Sequence, residues 1–159
     1  MTTSRRPVVL LSAAAFALTA ATAPSRRPAT HDEVQKIQLS GDNERPNKVK
    51  TSATGLATFT WDDHGAITYS LEVKNLSSRP TAAHIHGPAD KDGVAPVIAT
   101  LELKDSLTTG VIAVGRIGES IFAHFKRDAL KDMFDHGRAY VNVHTVNYPD
   151  GEIRGHFKH

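Results

Sequence analysis

The chain has 159 residues, with 19 basic and 17 acidic side chains, and it contains no cysteine. This length suits a single domain with one hydrophobic core. The absence of cysteine excludes disulfides, thiolate metal ligands and a cysteine nucleophile, so any bound metal must use His, Asp, Glu or backbone oxygen. Aromatic residues are too few for a platform that stacks nucleic-acid bases.

The N-terminal residues have the pattern of a secretory signal peptide. Arg5 and Arg6 form a basic region, residues 8–21 are apolar, and small residues continue to Ala23. The apolar stretch is too short and wrongly flanked for a membrane span. The stretch Ser4-Arg5-Arg6 leaves the general secretory and twin-arginine export routes both open.

We therefore predict a signal peptide at residues 1–23, a flexible leader at 24–32 and one domain at 33–159. The mature protein is predicted to be secreted or otherwise extracytoplasmic, without a membrane anchor. Loss of Arg5 and Arg6 takes the basic residues from 19 to 17, which equals the 17 acidic residues. A near-neutral chain gives no support for nucleic-acid binding.

Short alternating segments between turn residues predict an all-β fold. Residues 56–61 and 66–74 alternate strictly around Asp62-Asp63-His64-Gly65, which is typical of a hairpin. Pro149-Asp150-Gly151 predicts a second tight turn, between strands at 139–146 and 152–158. The other predicted elements are strands at 34–39, 81–86, 96–103 and 111–116 and a helix at 128–136. About eight strands with one short helix indicate an antiparallel sandwich or barrel.

Two predicted strands carry histidines on one face. His84 and His86 are two residues apart, so both point away from the face that carries Ala83 and Ile85. The same alternation places His144 opposite the apolar side chains of its own strand. If the apolar faces form the core, all three imidazoles lie on the outer wall of the barrel.

The last strand adds polar residues to this outer face. Arg154 and His156 alternate with apolar residues, and pairing about the turn brings His144 opposite or diagonal to Arg154. Converging imidazoles suit copper or zinc, and a nearby arginine attracts anions. The pattern alone leaves two interpretations open: a metal site, or a polar patch whose rings hydrogen-bond to loop carbonyls.

Three motifs in order resemble the CHRD (chordin) domain family. They are Ala82-Ala83-His84-Ile85-His86-Gly87-Pro88-Ala89, Gly137-Arg138-Ala139-Tyr140-Val141-Asn142-Val143-His144-Thr145 and Pro149-Asp150-Gly151-Glu152-Ile153-Arg154-Gly155. The resemblance begins near Ile37 and covers essentially the whole mature chain. One departure is Glu44-Arg45-Pro46-Asn47, where the family often carries Glu-Val-Pro-Pro.

The resemblance implies an immunoglobulin-like, Greek-key β-barrel that is distantly similar to copper–zinc superoxide dismutases. By that analogy His84, His86 and His144 are the candidate metal ligands, with copper preferred and zinc second. Arg154 corresponds to an anion-guiding arginine. The further candidates are two spare ligands, His124 and His156, and two supporting residues, Asn142 and Glu152.

Two functions follow as hypotheses. The first is an extracytoplasmic metal-binding domain. Dismutase-like redox chemistry is less well supported than metal binding, because the zinc-loop ligands of dismutases have no clear counterpart in this chain. The second is a structural or interaction module whose polar residues lock loops and whose partner is another extracytoplasmic protein.

Overall fold

The computed structural model describes Met1 and residues 33–158, except for the side chain of Ser120. Apart from Met1, the predicted signal peptide and leader lie outside the described residues. The described part contains eight strands, two short 3₁₀ helices and one α-helix. The strands are β1 (Glu33–Ser40), β2 (Thr54–Trp61), β3 (Ile67–Lys74), β4 (Pro80–His86), β5 (Val97–Thr100), β6 (Gly110–Arg116), β7 (Tyr140–Thr145) and β8 (Ile153–His156). The 3₁₀ helices are Gly41–Asn43 and Glu119–Ala123, and the α-helix is α1 (Arg127–Asp135).

The strands form one antiparallel sheet in the order β5-β4-β7-β8-β1-β2-β3-β6. Consecutive strands β1 to β3 form a meander, whereas β4 pairs with β7 and β3 pairs with β6, as in interleaved Greek-key connections. The sheet curls so far that the segment after β5 reaches β6 through a bridge between Leu103 and Ala113. The predicted all-β sandwich or barrel with one helix is confirmed.

The alternation in β2 and β3 places their apolar residues inside the curled sheet. Phe59 contacts Tyr69, Phe134 and Phe157, with ring centroids 4.9 to 6.4 Å apart. Phe134 comes from α1 and stacks on Phe157 with a centroid distance of 3.8 Å. The helix thus buries its apolar side against the interior of the sheet.

The end of α1 depends on Gly137. This residue has φ of +63°, the left-handed conformation that favours glycine. Its N–H donates to the Phe134 carbonyl, and the Arg138 N–H donates to the Met133 carbonyl. This arrangement ends the helix and turns the chain into β7.

Candidate metal site

β4 and β7 bring the three predicted histidines together on the outer wall. Ala83 and Ile85 are fully buried, whereas His84 and His86 point to the other face and are half-buried. In the β4–β7 register His84 lies opposite Asn142, and His144 lies opposite Ala82. The imidazoles therefore become neighbours because of strand alternation and this register.

The three imidazoles each offer a ring nitrogen within 4.8 Å of the others. His84 Nδ1 and His144 Nε2 are 3.1 Å apart. Two imidazole nitrogens bound to one metal at about 2.0–2.1 Å are separated by roughly 2.9–3.4 Å for bond angles near 90–109°. The His84–His144 pair has this separation. In the metal-free protein the contact is a hydrogen bond from His84 Nδ1 to His144 Nε2, because His144 Nδ1 donates to the Pro149 carbonyl.

Loop carbonyls orient two of the rings. His86 Nδ1 lies 2.8 Å from the Ala95 carbonyl oxygen, and His144 Nδ1 lies 2.8 Å from that of Pro149. A carbonyl only accepts, so each Nδ1 carries the proton and Nε2 keeps a lone pair in the neutral ring. Metal-binding histidines are commonly held by this kind of outer contact.

The electrostatics of the cluster favour neutral rings. Burial, with smaller contributions from His144 and His86, lowers the pKa of His84 from 6.5 to about 4. Burial is also the main cause that lowers the pKa of His86. At neutral pH both rings are therefore neutral, with one nitrogen that has a free lone pair, which is the form that binds a metal.

Tyr140 separates the cluster from Arg154. Its ring stacks on His86 from β4, with an interplanar angle of 2° and a centroid distance of 4.8 Å. The Arg154 guanidinium, from β8, lies 3.5 Å from the centroid of the Tyr140 ring. The Tyr140 ring thus lies between the Arg154 guanidinium and the His86 imidazole.

The family model for the CHRD domain matches residues 36–157. The chain belongs to the CHRD domain family. No curated protein and no solved structure matches it. Among the described residues, no helix is long and apolar enough to cross a membrane.

In this CHRD domain Asn142 and Arg154 lie opposite each other in β7 and β8, so His144, two residues further along β7, is diagonal to Arg154. The side-chain amide of Asn142 is 3.0 Å from His86 Nε2. Because His86 Nδ1 carries the proton, Nε2 accepts here, and the NH₂ group of the amide must be the donor. Arg154 is only 1% exposed, and its Nη2 donates to the Gly93 carbonyl at 2.7 Å. The loop after β4 therefore covers the arginine.

Three other predicted residues lie apart from the cluster. Glu152 is fully buried but hydrogen-bonds to Thr51, Ser77 and Thr145 rather than to a histidine. His156 contacts Arg154 and the Gly137 carbonyl, and exposed His124 follows a 3₁₀ helix. Neither histidine belongs to the group of ligand atoms found among the described residues.

Two neighbours of the site were not singled out from the sequence. Tyr140 reads as an ordinary strand residue, and only its register with His86 reveals the stack. Glu44 is 3% exposed, and burial raises its pKa from 4.5 to about 7 despite the opposing effects of Arg154 and Arg45. The only signal for Glu44 was its place in a loop motif that departs from the family pattern.

Proposed function

We propose that this CHRD domain is an exported protein that binds one late first-row transition metal ion through His84, His86 and His144. The observation that carries the proposal is the approach of three half-buried imidazoles from β4 and β7, two of which are already spaced like ligands of one metal. Copper is preferred to zinc because imidazole sites generally bind Cu²⁺ more tightly than Zn²⁺.

Metal binding requires two local changes. His84 Nδ1 must give up the proton that it donates to His144 Nε2, and the ring of His86 must turn. The ligand atoms lie within 4.8 Å of one another, whereas two nitrogens on one ion are at most about 4.2 Å apart. Rotation of the His86 ring exchanges its Asn142 contact for the metal. Because the three rings are only half-buried, solvent would also reach a metal held there.

Dismutase-like catalysis is not part of the proposal. In the analogy, Arg154 guides an anion to the metal, which requires a guanidinium that solvent can reach. Here Arg154 Nη2 already donates hydrogen bonds to the Gly93 carbonyl and to His156, and Arg154 is almost fully buried.

The direct test is titration of the folded protein with Cu²⁺ and Zn²⁺ by calorimetry, with electron paramagnetic resonance of the copper complex. We expect one ion per chain at micromolar concentration or tighter, and at least about a hundredfold weaker binding by His84→Ala/His86→Ala. Copper spectra of the wild type should show nitrogen ligands.

The matched control is His64→Ala/His124→Ala, which removes two imidazoles from exposed positions. This control should bind copper like the wild type. The proposal is wrong if the wild type takes up neither metal, or if both double variants lose the same affinity.

A second candidate is a structural or protein-interaction module. It is favoured by the same carbonyl contacts, because His86, His144 and Arg154 each tie a loop to the outer face. In that case metal-free His84→Ala/His86→Ala is less stable than the wild type, and the wild type takes up no metal.

Export is the remaining part of the proposal. CHRD domains occur in extracellular proteins, and residues 1–23 have the basic, apolar and small-residue order of a signal peptide. Intact-mass measurement of protein from the culture medium or periplasm should give a chain without these residues. A full-length chain confined to the cytoplasm would contradict export.

A further inference from the structure

A cavity of about 550 Å³ opens beside the end of β8, and none of the three clustered histidines lines it. Its walls come from β1, the first 3₁₀ helix and its following loop, the loop after β4, the end of α1 and the C-terminal residues. The lining residues are Gln38, Asn43, Arg45, Lys91, His136, Gly137, His156, Phe157 and Lys158. This size falls within the range of small-molecule sites.

The charged lining residues are all basic. Arg45, Lys91 and Lys158 contribute three cations, and no carboxylate is among the described residues of the wall. Arg45 is neutralised in part by Asp92, whose carboxylate lies 2.6 Å away and is 82% exposed. Within residues 33–158, Lys91 and Lys158 form no ion pair. Asp92 is nevertheless close enough to Lys91 for the lysine to contribute to the lowered pKa of its carboxyl.

One side of the cavity is held rigidly. Arg154 Nη2 donates to His156 Nε2 at 2.7 Å, because an arginine nitrogen cannot accept. The opposite nitrogen of His156 therefore carries the proton and donates to the Gly137 carbonyl at 3.1 Å. The ring is neutral and fixed, and buried Phe157 adds an apolar part to the same wall.

Near the end of α1, a carboxylate lies beside the basic side chains. His136 lies 3.0 Å from Asp132, which also pairs with Arg138. The basic character of the cavity thus comes mainly from the two lysines, whose flexible ammonium groups act as point charges for oxyanions.

From this combination we propose that the cavity binds a small organic anion of about monosaccharide size that carries a phosphate or sulfate ester. Lys91 and Lys158, which line the same cavity, supply the positive charges for the ester group. The neutral body of the ligand packs against His156 and Phe157. This site is separate from the histidine cluster and does not depend on the proposed metal.

The test is calorimetric titration of the folded protein, at low ionic strength, with glucose 6-phosphate, glucose 6-sulfate and glucose. We expect saturable binding of at least one ester and none of neutral glucose. Lys91→Gln/Lys158→Gln should weaken ester binding at least about tenfold, since two charges near one anion are removed. The stronger of the two esters identifies the source of the anionic group.

The matched control is Lys50→Gln/Lys104→Gln, which removes the same charge from two exposed lysines outside this cavity. It should change ester affinity by less than about twofold. Absence of ester binding by the wild type, equal loss in both variants, or equal binding of glucose would each overturn the proposal. The His84→Ala/His86→Ala variant should bind the ester normally, which separates this site from the metal site.

Discussion

His84 combines partial burial with two neighbouring imidazoles. Burial and the two neighbouring imidazoles disfavour its protonated form, and they lower its pKa from 6.5 to about 4. The folded protein therefore binds fewer protons at this ring than the unfolded chain does between these two pH values. Its contribution to stability is complete above pH 6.5 and decreases as the pH falls towards 4.

We predict that His84→Gln makes stability less sensitive to acid. Between pH 7 and pH 5 the wild type should lose about 1 kcal/mol more unfolding free energy than the variant, after allowance for solvent screening of a half-buried ring. Urea unfolding with a chelator present measures this difference. An exposed-turn control, His64→Gln, should retain the wild-type pH dependence, and equal slopes for all three proteins would refute the prediction.

At the same scale, the sequence could identify the histidines but not all of their surroundings. Strand alternation suffices to place His84, His86 and His144 on one face. The burial of Arg154 and Glu44 depends on where long loops fold back over the sheet, and no local periodicity encodes that. Glu152 is the clearest example. The resemblance made it a supporting residue of the histidine site, but its carboxylate hydrogen-bonds to Ser77 and Thr145 instead.

The elements themselves follow from short-range patterns. The alternating hairpin predicted at 56–61 and 66–74 is observed as β2 and β3, and the predicted helix at 128–136 begins and ends one residue earlier. The strand predicted at 96–103 is shorter, because only Val97–Thr100 pairs with β4 before the chain crosses towards β6. Such a crossing depends on curvature of the whole sheet.

Close contact between β1 and β8 requires a glycine. A Cβ atom at Gly155 would lie 2.3 Å from the Gln38 carbonyl oxygen and 2.7 Å from a methyl carbon of Ile37. Both neighbours belong to β1, and the carbonyl is backbone that cannot rotate away. A side chain at this position therefore separates the two strands.

We predict that Gly155→Ala lowers the unfolding free energy by about 3 kcal/mol, in the range of overpacked or displaced core backbone. Gly93→Ala is the matched control, because its nearest contacts would be ordinary ones of 3.4 to 3.6 Å. It should cost less than about 1 kcal/mol. Urea denaturation measures both values, and similar stabilities for the two variants would contradict the assigned role of Gly155.

At the scale of the whole molecule, Glu152 connects three distant parts of the chain. One carboxylate accepts hydrogen bonds from Thr51 in the first long loop, from Ser77 between β3 and β4, and from Thr145 at the end of β7. The residue is fully buried, so water cannot replace these contacts. The carboxylate therefore fastens two loops to the sheet through hydroxyl and backbone donors.

We predict that Glu152→Ala lowers the unfolding free energy by at least about 3 kcal/mol, because several buried donors lose their acceptor and a cavity forms. Glu152→Gln should cost less, since one oxygen still accepts. Exposed Glu72→Ala serves as the control and should stay within about 0.5 kcal/mol of the wild type. Where the variants fold, their copper affinity should equal that of the wild type, because Glu152 touches none of the three imidazoles. Reduced copper affinity in a folded Glu152→Gln protein would instead place this residue in the support of the metal site.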